Sequence, residues 1–314
     1  MDVLQLLLWG VYLFASLFVL VRGADMFIVG ARHIGLYAGM SSFATGVLIV
    51  GLGTSLPEFA SSVAAALAGS TQIVIANVVG SNITNILLIG GLLAALGGNI
   101  IIGKDLIKSE LPIFFIATAH FTAVIFDGYV DRLEALLLLG TFFAYLWYLF
   151  VESGEKKEQK TRKRMPLDLT YIAYALFGIL GVLVGAHFAV AMTVNIATAL
   201  AVPVGLVTIA ALAIGTSLPE LVVALNAYRA GDTEMAIGNI FGSNAFNILV
   251  VISIPALISP LEAGEIIMEL ALPIFIAASA IFFVNGLSRQ IMRWEGFMML
   301  LFFVFFLVKL GYFA

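Results

Sequence analysis

The chain has 314 residues, 62% hydrophobic and 11% charged, with a mean hydropathy of +1.12, a balance that excludes an ordinary water-soluble domain. A formal net charge of −4 gives no basic excess, which argues against nucleic acid as a partner. The absence of cysteine excludes disulfides, thiolate metal centres and thiol redox switches.

The N-terminal MDVLQLLLWG places an acid where a signal peptide carries positive charge, and no small-residue cleavage pattern follows. It reads as a retained first helix. Apolar runs long enough to cross a bilayer then recur along the whole chain. They predict helices over 3–32, 41–68, 72–98, 110–127, 132–153, 168–196, 204–229, 234–258, 268–286 and 291–313. The fold class expected is an all-α polytopic membrane protein with ten transmembrane helices, the long first and sixth strongly tilted.

The stretch ESGEKKEQKTRKRMP, residues 152–166, is the markedly polar segment between these spans. It separates a first five-helix unit, 1–151, from a second, 167–314, and reads as a solvated linker near anionic head groups. If the linker is cytoplasmic, ten spans put both termini outside. Arg22, Arg32, Lys104, Lys108, the six basic residues of the linker, Arg229, Arg289 and Arg293 then fall inside, leaving Arg132 and Lys309 outside. Thirteen of the fifteen basic residues thus obey the positive-inside rule.

An internal repeat is the strongest signal in the sequence. Residues 53–87, GTSLPEFASSVAAALAGSTQIVIANVVGSNITNIL, align without a gap to 215–249, GTSLPELVVALNAYRAGDTEMAIGNIFGSNAFNIL, at an offset of 162, with 18 identities in 35 positions. Fainter echoes, GADMF with GAHFA and LPIFF with LPIFI, extend the duplication to the whole half. Each half holds an odd number of helices, so the second enters the membrane from the opposite side. Inverted repeats around a midplane site are an architecture of secondary transporters.

The motif GTSLPE sets Thr54, Ser55 and Glu58, and in the second half Thr216, Ser217 and Glu220, inside apolar spans. A carboxylate there is costly, normally faces a cavity, a partner or an ion, and here has no Lys or Arg beside it. A bound cation is the economical counter-charge. Pro57 and Pro219 leave the carbonyls of Gly53 and Gly215 without helical donors, further oxygen ligands for an ion. The alternative is a simple proline kink with serines bonding back to their own helix. The blocks NVVGSNITN and NIFGSNAFN add Asn77, Ser81, Asn82 and Asn85, and Asn239, Ser243, Asn244 and Asn247. Four-residue spacing puts Asn77, Ser81 and Asn85 on one helical face. Gly80 and Gly242 would allow close helix approach, and interhelical hydrogen bonding is the alternative role for the asparagines. Hydroxyls, amides, carbonyls and two carboxylates form a hard donor set that suits Ca2+, with Na+ able to use the same oxygens.

Two GTSLPE blocks, each followed by GSN and a further Asn, resemble the alpha repeats of the sodium/calcium exchanger family in its form without regulatory domains. The resemblance implies Glu58 and Glu220 as central calcium ligands. Thr54, Ser55, Ser81, Asn85, Thr216, Ser217, Ser243 and Asn247 would complete the calcium and sodium sites. The backbone carbonyls of Gly51 and Ala213 would join them. It further implies electrogenic antiport, three Na+ for one Ca2+, in the cell membrane, with no cofactor and no obligate protein partner beyond the lipid bilayer. Asparagine at both 85 and 247, where potassium-dependent relatives carry Asp, implies independence of potassium. The related proton/calcium antiporters carry a glutamate shortly after the GN of the second block, where this chain has Asn77-Val-Val-Gly and Asn239-Ile-Phe-Gly. Proton coupling is the alternative within the superfamily; an intramembrane enzyme and a cation channel are alternatives of other classes. Asp25 and His187 occupy matching places and read as interhelical or helix-end groups, His120 as structural, and Glu110 and Glu269 as interfacial.

Overall fold

The fold is that of a computed structural model describing residues 3–98, 100–101, 104–155, 168–199 and 215–313. It is predominantly helical. Helix α1 is Val3–Ala38, and a bent pair follows, α2 (Ser42–Thr54) and α3 (Leu56–Leu67). Next come α4 (Thr71–Gly97), α5 (Lys104–Val124) and α6 (Arg132–Glu155). The second half brings α7 (Leu169–Ala199), α8 (Leu218–Arg229), α9 (Thr233–Ile258), α10 (Ile267–Ser288) and α11 (Arg293–Phe313).

Among the described residues seven helices are long and apolar enough to cross a bilayer, and the bent pair α2–α3 makes an eighth. Of the two other expected spans, the apolar part of α5 with its following turn, Leu111–Asp127, is shorter, and in the span expected over 204–229 a break at Ser217 makes α8 start at Leu218, while 200–214 lie outside the described residues. The linker's basic residues, 156–164, also lie outside them. The protein is a multi-pass membrane protein. Helix α1, with 36 residues, is about 54 Å long at 1.5 Å per residue, well beyond a hydrocarbon thickness of about 30 Å.

Helices α4 and α9 are buried over most of their length, whereas α1, α6 and α11 expose most of theirs. Burial here is by protein, so α4 and α9 form the centre and the outer helices present apolar side chains such as Phe14, Phe143 and Leu301 to lipid. Glycines allow the closest approaches. A Cβ on Gly51 of α2 would meet the Ser243 nitrogen of α9 at 2.8 Å, and one on Gly23 of α1 would meet the Val182 nitrogen of α7 at 2.7 Å. Gly242 packs likewise against the Val47 backbone. No described atom lies within 4 Å of a Cβ on Gly80, and the residue matching Val47 in its half, 209, is outside the described residues. Helices α3 and α8 both end through a glycine in the left-handed region, Gly69 (φ +75°) and Gly231 (φ +80°).

Two short antiparallel ladders tie the halves together. β1 (Ile100–Ile101) pairs with β4 (Gln290–Ile291), and β2 (Tyr129–Val130) pairs with β3 (Leu261–Glu262). Each joins a connection of the first half to one of the second.

Candidate cation site

Both copies of GTSLPE interrupt a helix at the same residue. Ser55 (φ −84°, ψ 9°) and Ser217 (φ −85°, ψ 7°) leave helical geometry, and Pro57 and Pro219 then sit in the first turn of α3 and α8, so that each helix restarts where proline offers no donor to the preceding segment. The axis bends by 43° between α2 and α3. Glu58 and Glu220 therefore stand in the first turn of the half-helices α3 and α8, the electropositive end of the helix dipole. Wider, π-type turns flank the site: Gly46–Gly51 leads into the first break, Thr84–Gly90 contains Asn85, and Asn247–Val251 starts at Asn247. Such turns release backbone carbonyls from regular bonding and gather at functional sites.

The side chains meet across the two halves. Ser55 Oγ donates to Glu220 Oε1 at 2.8 Å. Thr54 Oγ1 lies 3.5 Å from Ser243 Oγ, and the matching pair, Thr216 Oγ1 and Ser81 Oγ, lies 3.2 Å apart. The Gly51 carbonyl accepts from the Ser243 hydroxyl at 3.2 Å, the Thr54 hydroxyl at 3.3 Å and the Ser55 N–H at 3.2 Å. Ala213, its counterpart, is outside the described residues. The Asn77 amide donates to the backbone carbonyl of Glu58 at 3.2 Å, and the Asn239 amide to that of Glu220 at 3.1 Å. These two asparagines brace the starts of the half-helices, and Asn239 Oδ1 also accepts from the Thr54 hydroxyl at 3.2 Å. Their identity in both repeats was the signal for this bracing role, while the spacing alone put Asn77 on the same stripe as Ser81.

Glu58 and Glu220 are buried and close enough to interact electrostatically, with Thr216 facing Glu58. Several of the surrounding polar atoms have no hydrogen-bond partner: both oxygens of Glu58, Oε2 of Glu220, Oγ of Ser217, and the side-chain amides of Asn85 and Asn247. Among the described residues no Lys, Arg or His forms an ion pair with either glutamate. The site thus brings together Thr54, Ser55, Glu58, Ser81, Thr216, Ser243 and Glu220 by direct contact or charge, with buried Asn85, Asn247 and Ser217 carried on the same elements. A cluster of buried oxygens bearing two acids, with no paired Lys, Arg or His among the described residues, can hold a hard cation and is costly to keep charged without one.

Residues outside the motif are placed apart from it. His120 Nδ1 bonds Thr141 Oγ1 at 2.9 Å between α5 and α6, an interhelical contact. Asp25 accepts from the Asn226 amide at 3.2 Å, joining α1 to α8. His187 lies against Phe188, and Glu269 is exposed in the first turn of α10. The Glu110 side chain is outside the described residues.

The profile of the family described as "Sodium/calcium exchanger protein" matches residues 8–151 and 170–311. The chain is 32% identical to the sodium/calcium exchanger MaX1 of Methanosarcina acetivorans, over 96% of this chain and 97% of that protein. It is 35% identical to the inner membrane protein YrbG of Escherichia coli, over 70% and 71% of the two chains. A solved structure of the sodium-calcium exchanger NCX_Mj, soaked with Na+ and Sr2+, superimposes with a TM-score of 0.83 at 28% identity, covering 96% of this chain and 98% of that one.

Proposed function

Because this chain belongs to the sodium/calcium exchanger family, we propose that it is an antiporter that moves Ca2+ across the cell membrane against Na+ by alternating access. The family is one of transporters, and the chain is not an enzyme. The observation that carries the proposal is the pair of buried carboxylates beside two matching hydroxyl pairs, Thr54 with Ser243 and Thr216 with Ser81, with no Lys, Arg or His paired to either acid among the described residues.

Glu58 and Glu220 supply two negative charges, which one Ca2+ neutralises. Ser55, Ser217, Thr54, Thr216, Ser81, Ser243, Asn85 and Asn247, with the carbonyls of Gly51 and Ala213, add the neutral oxygens. Na+ competes for the same oxygens, so one Ca2+ or several Na+ offset the charge of the site. The uncompensated acids hold an ion-free site from reorienting through hydrocarbon. Exchange of three Na+ for one Ca2+ moves one net charge, and asparagine at 85 and 247 leaves no third acid for potassium.

The architecture in this reading is ten spans in two inverted five-helix units, 1–151 and 167–314, joined by the cytoplasmic linker 152–166. The ladders support it. β1–β4 joins the connections after the third and ninth spans, and β2–β3 those after the fourth and eighth. In a ten-span chain each of these pairs shares one side of the membrane, and the two ladders fall on opposite sides. The Tyr228 hydroxyl on the Gly97 carbonyl at 2.8 Å and Arg293 Nε on the Ala95 carbonyl at 3.1 Å obey the same parity. Both termini are then extracellular.

The test is calcium uptake into sodium-loaded proteoliposomes. Uptake is expected to follow the sodium gradient, to be indifferent to potassium and to quicken under an imposed inside-positive potential. Uptake driven by an outward proton gradient and not by sodium would move the protein to the proton-coupled branch.

A further inference from the structure

The two halves repeat one sequence, yet they hold α1 and α7 unequally. Helix α1 packs along α8, whereas among the described residues α7 makes no comparable packing against α3, the matching element. Polar side chains reinforce the first contact. The Asn226 amide on α8 donates to the Val21 carbonyl and to Asp25 Oδ1 on α1, each at 3.2 Å. Two turns further along α1, Arg32 Nε lies 3.8 Å from Oδ2 of Asp232, in the turn between α8 and α9. Asp232 is itself fixed, since its Oδ1 accepts from the Met235 N–H at 3.1 Å as the N-cap of α9.

The 162-residue offset shows what the other half offers in these places. Asn226 becomes Ala64, Asp232 becomes Ser70, Asp25 becomes His187 and Arg32 becomes Val194. Alanine has no amide and valine no charge. Neither contact can be rebuilt between α7 and the α3–α4 segment.

We infer that Asp25, Asn226, Arg32 and Asp232 are positioning residues that latch α1 onto α8 and favour the orientation closed on the side of the α1–α2 turn. The inference rests on the alternating-access reading above. If the two inverted arrangements interchange, the α1–α8 contact takes on the looser form now seen between α7 and α3, and the latch must part. A hydrogen bond and a partly exposed ion pair together bias such a two-state equilibrium by about fivefold. The latch touches none of the cation ligands, so it sets how long the site faces each solution without changing what it binds.

The chain has no cysteine, so one introduced thiol reads the seam cleanly. Val223, buried one turn before Asn226 on α8, is the reporter position. In proteoliposomes carrying Val223→Cys, an impermeant thiol reagent on the side of the α1–α2 turn is expected to label Asn226→Ala and Arg32→Gln each about twofold faster than the parent, and the double variant about fivefold faster. From the opposite side the rates stay equal, and Arg32→Lys returns labelling towards the parental rate. Sodium-driven calcium uptake persists in every variant. Equal labelling of parent and variants overturns the latch, and so does faster labelling from both sides, which marks general loosening. Failure of the exchanger reading is read separately, as absent uptake in the unmodified chain.

Discussion

A glutamate such as Glu58, buried with neither oxygen hydrogen-bonded, destabilises the fold unless a cation meets it. Glu58→Gln keeps the shape and removes the charge. Its expected outcome is loss of calcium uptake by a factor on the order of a hundred or more, the upper end of what loss of a metal-site contact costs. In detergent without ions the variant should melt above the parent, and the rise in Tm that calcium gives the parent should vanish. Thermal unfolding with and without calcium checks both; parental uptake by the variant would remove Glu58 from the site. At this scale the motif was legible because six consecutive residues recur at one offset. The direction of each side chain was not. Ser55 reaches the opposite half's Glu220, while its counterpart Ser217 has no such bond to Glu58, a difference that identical letters cannot encode.

At the scale of elements, the proline breaks were readable and the turns beside them were not. Pro57 announces an interrupted helix from its missing N–H, but the π-type turns at Gly46–Gly51, which packs against α9, and at Asn247–Val251, which packs against α3, α4 and α6, carry no period of their own. Restoring the donor in Pro57→Ala should let the Gly53 carbonyl be bonded and straighten the α2–α3 bend. Uptake is expected to fall severalfold with helix content by circular dichroism unchanged; unchanged uptake would show that the break is dispensable. A Cβ at Gly242 would run into the Val47 backbone. Gly242→Ala should therefore cost about 1–3 kcal/mol of stability, as overpacking does, and lower the unfolding midpoint. Several helix limits fell within a few residues of those expected from hydropathy, but α1 runs on to Ala38, six residues past its expected end, α5 starts at Lys104, six before its expected start, and α6 carries on to Glu155, four residues into the stretch expected as linker. The two-residue ladders were invisible in the sequence, because so short a strand shows no alternation.

For the whole molecule, sidedness is the decisive property. Tyr129 and Gln290 are exposed residues on the two different ladders. Single cysteines there, Tyr129→Cys and Gln290→Cys, should label from opposite faces of the membrane with an impermeant reagent, whereas labelling from one face would remove the inverted ten-span plan. The sequence supplied the duplication behind that plan, but the unequal seating of α1 and α7 emerged only from their packing. The ladders and the Ser55–Glu220 bond also bear on how the protein is made. Every one of these contacts joins residues more than a hundred positions apart, so the first half leaves the ribosome with an incomplete site and an acid in the membrane that nothing yet balances. Insertion of the second half is the step that completes both, which makes assembly a late docking event. Either half synthesised alone is then expected to be degraded by membrane quality-control proteases, and the two synthesised together as separate chains are expected to restore sodium-driven calcium uptake.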